Sequence, residues 1–183
     1  TLNRKVERPV YEGEDGGNAE DTIPAIIAAL GELYVSSEKG REFVRVNFDK
    51  IEKTMAQFIG RTDPEDGLEH SKKSNPDWSD SLLKGDKKLG TIHVWYCRAL
   101  RMMQLMAEGV SGPERSVYYR DLEHKVKSSI LGTPGNPGIL YDWGHHYFRT
   151  GEGEDRIDAA ASIFGSLYLL PAVEAAHVQE TFK

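Results

Sequence analysis

Cysteine is almost missing: Cys97 stands alone in 183 residues. An intramolecular disulfide is excluded, and so is a zinc site built on several thiolates. A reducing compartment is the simpler reading. Long apolar runs are also missing, and none approaches the ~18–20 residues needed to span a bilayer. Arg4, Lys5, Glu7 and Arg8 near the N-terminus have no apolar stretch behind them. No signal peptide is expected from that pattern. The expected location is therefore the cytoplasm or the inside of a particle, without secretion and without membrane contact.

Excess positive charge is lacking too. The formal net charge is -6 and the sequence pI about 5.5. Nucleic-acid binding through bulk electrostatics calls for a basic surface, because neutralised phosphates release counterions. That mechanism is disfavoured for the whole chain, which leaves only a local basic face. No Gly-x-x-x-x-Gly-Lys-Ser/Thr phosphate loop and no Gly-x-Ser-x-Gly nucleophile elbow occurs. Gly151-Glu152-Gly153-Glu154-Asp155 has glycines, but its carboxylates would repel phosphate. No segment alternates apolar and polar residues as a strand does, and no solenoid-length repeat is found.

What is present is helical periodicity. Residues 1–21 read as a flexible acidic arm, where Glu12, Glu14, Asp15, Glu20 and Asp21 surround three glycines. Such a stretch buries too little apolar surface to offset its ordering entropy. Residues 22–183 read as a single helical domain. A first helix starts after Asp21 or Thr22 with Pro24 in its first turn, and Gly31 and Ser36–Ser37 mark where it weakens or ends. A second runs from about Glu38 to Ile59, with Val44, Phe48, Ile51, Met55 and Phe58 in one stripe. Residues 61–88 form a polar connection in which Asn75-Pro76 starts a short helix carrying Trp78, Leu82 and Leu83. The stretch from Leu89 to Glu108 is apolar nearly all round, so it belongs at the centre.

Ser111-Gly112-Pro113-Glu114 fits a capping box, and Tyr119, Leu122, Val126 and Ile130 follow on one face. Asp121 with Lys125, and Glu123 with Lys127, have the spacing of helical ion pairs. Leu140, Trp143 and Tyr147 recur at helical spacing, and Asp155 can cap a last helix through Leu170. Pro171 should kink or restart that helix. The fold class expected is all-α, an irregular bundle of about five to seven helices.

The candidate chemistry is thin. His145 and His146 with Asp142, Glu152, Asp155 and Asp158 supply imidazole and carboxylate ligands for a divalent ion, centred on His145 because adjacent helical histidines point apart. The spacing matches no ligand motif, and a surface loop with a helix cap explains it better. His93 and Cys97, one helical turn apart, hold a base beside a thiol. Their place in the most apolar helix favours a buried structural cysteine. Asp63, Glu65, Asp66 and Glu69 lack the order of a calcium loop. The acids Asp77 and Asp80, and Asp155 and Asp158, look like helix starts.

Charge is segregated, however. Residues 38–61 carry six Lys/Arg against four acids, and residues 91–131 carry the same numbers. Arg41, Arg45, Lys53, Arg98, Arg101, Arg115 and Arg120 are the candidate contact residues for a partner or RNA backbone. From Ala29-Leu30-Gly31 to Lys53, about an eighth of the chain, the sequence resembles the first helix pair in coat proteins of rod-shaped plant viruses. That resemblance implies a subunit that self-associates. The reading favoured is a non-enzymatic assembly or interaction protein of coat or nucleocapsid type. Its partners are further copies or another protein, with RNA as a further candidate, and no cofactor or metal is required. The alternatives are a small metal-dependent hydrolase centred on His145 and an adaptor for peptides.

Overall fold

The computed structural model describes residues 22–70 and 88–182. The acidic arm, the short helix carrying Trp78, and the acids Asp77 and Asp80 lie outside the described residues. Six helices and two very short hairpins make up the rest, so the all-α expectation holds. In chain order the helices are α1 (Thr22–Ser36), α2 (Glu38–Ile59), α3 (Gly90–Val110), α4 (Pro113–Leu131), α5 (Ala159–Tyr168) and α6 (Ala172–Thr181). Strands β1 (Gly132–Thr133) and β2 (Asn136–Pro137) pair antiparallel, as do β3 (Tyr141–Asp142) and β4 (Tyr147–Phe148).

The helices pair as three antiparallel hairpins. One or two residues turn α1 into α2, α3 into α4, and α5 into α6 only after Leu169–Pro171. Helix α3 is the hub and packs most extensively on α4 and α1, then on α5. Its sequence explains this role, because Ile92, Val94, Tyr96, Ala99, Leu100, Met103 and Met106 are all buried. A helix with apolar side chains on every side loses most when left in water. The stripe predicted on α2 is buried as expected: Val44, Phe48, Ile51, Met55 and Phe58 all join the core. Among the described residues no helix is long and apolar enough to cross a membrane.

Several local expectations give way to tertiary structure. Gly31 does not weaken α1. It sits buried in mid-helix, where a side chain would run into Met102 of α3. The capping box at Ser111 does not form. Ser111 instead ends α3, its N–H bonding the Ala107 carbonyl at 2.8 Å. Gly112 then precedes α4 at φ 95, a conformation that glycine tolerates and other residues avoid. The helix anticipated over 138–149 is the β3–β4 hairpin. Asp142 Oδ1 accepts from the N–H groups of Gly144 and His145 at 2.9 and 3.0 Å, which folds the chain back. Lys125 reaches the Pro64 carbonyl rather than Asp121, which pairs with Arg120.

Asp158, not Asp155, caps α5. Its Oδ1 accepts from Ala161 N–H at 2.8 Å. Its other oxygen takes the Thr91 hydroxyl at 2.7 Å and the Thr91 N–H at 3.1 Å. One buried carboxylate therefore holds the starts of α3 and α5 together. The small residues of α5 let β4 approach closely: the ring of Phe148 lies where a Gly165 side chain would be, and Phe148 N–H bonds Ser162 Oγ at 3.0 Å.

Candidate functional site

Because the helices alternate in direction, the described ends of the connection between α2 and α3 (60–70 and 88–89) and the connection 132–158 lie at the same end of the array. They are stitched together there. Gly90 N–H bonds the Thr150 carbonyl at 3.0 Å, Glu152 N–H bonds the Lys88 carbonyl at 2.9 Å, and Leu89 bridges Gly151. Ser129 Oγ donates to the Asp66 carbonyl at 2.8 Å, tying the first connection to α4. Connections carried by a rigid scaffold are where binding and catalytic groups concentrate.

The first connection turns on carboxylates. Asp63 Oδ1 accepts from Glu65 N–H and Asp66 Oδ1 from Leu68 N–H, both at 2.8 Å. Lys88, nearly buried, pairs closely with Asp66 and lies 3.8 Å from Asp63. Burial opposes charge on both partners. It is outweighed only by several effects together, their mutual hydrogen bond, the attraction between the two charges, and for Asp66 the Leu68 N–H, leaving Asp66 below and Lys88 above the usual range. Arg61 holds Glu69 at 2.8 Å.

His93 lies beneath this layer, fully buried. Its Nε2 accepts from Glu69 N–H at 2.8 Å, so Nδ1 carries the proton and donates to the Leu89 carbonyl at 2.6 Å. Burial lowers its pKa to about 4, although the Leu89 bond resists the shift. Cys97 is buried as well, and burial pushes its thiol well above the ordinary cysteine value. The two residues are structural, as their apolar helix suggested. The ring ties 69 to 89, and the thiol is not a thiolate nucleophile.

The second connection carries the other ionisable cluster. Burial raises Asp142, but the Arg149 guanidinium at 3.0 Å, His145 and two backbone N–H groups together bring it down to about 2. His145, three-quarters exposed, lies 3.2 Å from that carboxylate. Glu152 and Asp155, also nominated from the sequence, are exposed residues beyond the hairpin. The group that could hold a metal among the described residues is a different one: His146, Glu174 and His177. Sequence reading named His146 but missed its partners, because Glu174 lies 28 residues from it in the chain. The only local signal was the i, i+3 spacing of Glu174 and His177 on α6.

The candidate contact residues do not share one surface feature. Arg98 and Arg101 lie at a cavity of about 340 Å³ between α3, α4 and the end of α5, with Cys97, Glu123, Lys127 and Tyr168. Arg98 is drawn inward, its guanidinium 4.6 Å over the Tyr168 ring and paired with Glu32. Arg115 crosses from α4 to Glu52 of α2 at 2.8 Å, so it fastens two helices. Arg45 pairs with Glu42 at 3.2 Å and Arg120 with Asp121 at 3.0 Å. Arg41 and Lys53 are exposed on α2.

No protein-family model matches the chain. No curated protein matches it. Solved structures do. A rhamnosidase from Klebsiella oxytoca, determined with rhamnose bound, superposes with a TM-score of 0.73 at 17% sequence identity. The match covers 97% of this chain and 32% of that one. This chain has the fold of part of a rhamnosidase. It spans about a third of the length of that enzyme.

The likeness corrects the functional expectation. The coat- or nucleocapsid-type assembly protein was read from local charge and from one helix pair, the metal hydrolase from His145 and nearby carboxylates, and the peptide adaptor was a further alternative. The arrangement of the described helices as a whole is instead that of part of a rhamnosidase. Nothing in that layout supports a structural or RNA-binding role.

Proposed function

We propose that this chain is a helical-hairpin portion of a glycoside hydrolase-like domain and works on saccharides. The observation that supports this is the fold likeness to the rhamnosidase across nearly the whole chain. The arrangement of connections fits it, since both long ones gather at one end and bring hydrogen-bonding carboxylates with them.

The chemistry narrows what these carboxylates would do. Glycoside hydrolysis commonly needs one carboxyl group kept protonated as an acid and another kept ionised. Asp66 and Asp142 are both held on the ionised side. They suit the accepting of sugar hydroxyls, or the ionised role, rather than proton donation.

The test is a titration of the chain with L-rhamnose and a panel of other monosaccharides, followed by backbone NMR, alongside hydrolysis of the matching aryl glycosides. Saturable shifts confined to residues 60–70 and 132–158, with or without turnover, are the expected result. No perturbation by any sugar and no hydrolysis would refute the proposal.

A further inference from the structure

The His146, Glu174 and His177 cluster is not used by the reading above, and its geometry is specific. One ligand atom from each residue can be chosen so that all three lie within 4.8 Å of one another. His146 Nδ1 is 2.8 Å from Glu174 Oε1, and His177 Nδ1 is 3.4 Å from Oε2. The two imidazole rings lie 4.6 Å apart. Around a tetrahedral ion with bonds of about 2.0–2.1 Å, ligand atoms stand about 3.3 Å from each other. The two observed contacts, 2.8 and 3.4 Å, run to different oxygens of the Glu174 carboxylate and lie near that value.

The supports are as telling as the ligands. His146 holds a left-handed backbone at φ 57, the one such non-glycine residue among those described. That conformation is uncommon for a residue with a side chain and is kept when the surroundings demand it. Here the β3–β4 turn imposes it, with His146 N–H bonded to the Asp142 carbonyl at 2.8 Å. The turn thereby aims the ring at α6. Glu174 is only 8% exposed, and the buried Tyr141 hydroxyl donates to its Oε1. A ligating carboxylate oriented by a second hydrogen bond is the usual arrangement behind a metal centre. The His146 and His177 side chains are 36% and 51% exposed, so an ion and a water molecule can reach the open side.

We propose that His146, Glu174 and His177 bind one divalent transition-metal ion of the zinc type. Two imidazoles and one carboxylate form a ligand set that zinc accepts with a fourth position left to water. Calcium and magnesium prefer oxygen throughout, so they bind poorly here. The ion displaces the protons shared between the rings and the carboxylate. It locks the β3–β4 hairpin, and with it the long connection 132–158, onto α6.

The experiment uses the chain stripped with chelator. Zn²⁺ is titrated calorimetrically, and Co²⁺ is added as a spectroscopic probe. Wild type should bind one ion, show the visible bands of tetrahedral Co²⁺, and melt at a higher temperature with Zn²⁺. His177→Ala should weaken Zn²⁺ binding by at least about tenfold. Because His177 is exposed, the metal-free melting temperature of that variant should stay at the wild-type value. Glu174→Gln, which keeps the side-chain shape, should lose binding as well. His145→Ala should bind as wild type does. Absence of Zn²⁺ binding by wild type overturns the proposal, as does undiminished binding by His177→Ala. Loss of binding in His145→Ala equal to that in His177→Ala also overturns it, since it would move the site to Asp142.

Discussion

Gly31 is where the packing of α1 on α3 is most exposed to a single change. In an isolated helix, Gly→Ala is favourable by about 1 kcal/mol. Here the added Cβ would lie 2.6 Å from Met102 Sδ and closer still to Met102 Cβ and Cγ. Carbon atoms pack comfortably at about 3.5–4.0 Å, so α1 and α3 must part by roughly 1 Å. The Met102 Cβ belongs to the rigid base of a buried side chain and cannot swing aside. Overpacking of this kind costs about 1–3 kcal/mol. After the propensity gain is subtracted, Gly31→Ala should be destabilised by about 0–2 kcal/mol, and by about 1–3 kcal/mol relative to an alanine substitution that gains propensity without the clash. At about 2–4 °C per kcal/mol for a chain of this size, the melting temperature should fall by up to about 8 °C.

Gly109→Ala is the control, because its Cβ would meet the tip of the Tyr34 side chain, with the Tyr34 Cζ at 3.2 Å. That tip can rotate away, so the variant should be neutral or slightly stabilised. Urea unfolding followed by circular dichroism measures both. A Gly31→Ala variant as stable as Gly109→Ala would refute the argument that α1 and α3 meet backbone to side-chain base at this point.

Protonation of His93 should couple to folding. The unfolded ring accepts a proton below about pH 6.5, whereas the folded ring accepts one only near pH 4. The unfolded state therefore binds more protons throughout that window, and stability falls as the pH is lowered through it. Between pH 7 and pH 5 the His93 contribution should amount to about 2 kcal/mol, and a His93 NMR resonance that titrates near pH 6.5 would rule it out. Asp158→Ala removes the α5 cap and the Thr91 contacts together and should cost about 2 kcal/mol in thermal unfolding. Asp158→Asn keeps an acceptor for Ala161 N–H and should recover part of that loss; equal loss in both variants would mean that the cap contributes nothing.

Much of the scaffold was legible because helix formation is written in nearest-turn spacing. The Val44 to Phe58 stripe and the all-round apolar face from Ile92 to Met106 found their places as read. Pro171 restarts the chain into α6 as expected. Local rules failed where two segments compete for the same residue. Ser111 could cap α4 or end α3, and the tight turn decided for the latter. Leu140, Trp143 and Tyr147 had helical spacing, but hydrogen bonds to Asp142 Oδ1 closed a hairpin instead. The site residues were the least legible, since Asp158 meets Thr91 across 67 positions and His146 meets Glu174 across 28.

By itself, then, the order of residues determined where the four long helices run, which faces of α2 and α3 avoid water, and that no disulfide forms within these 183 residues. These are properties of one turn of chain and of composition. Only the tertiary structure decided that the long connections meet at one end, that His93 is buried neutral, and that two histidines converge on Glu174. Those outcomes depend on which helix packs against which, and that is set by the shape and burial of many side chains together rather than by spacing along the chain.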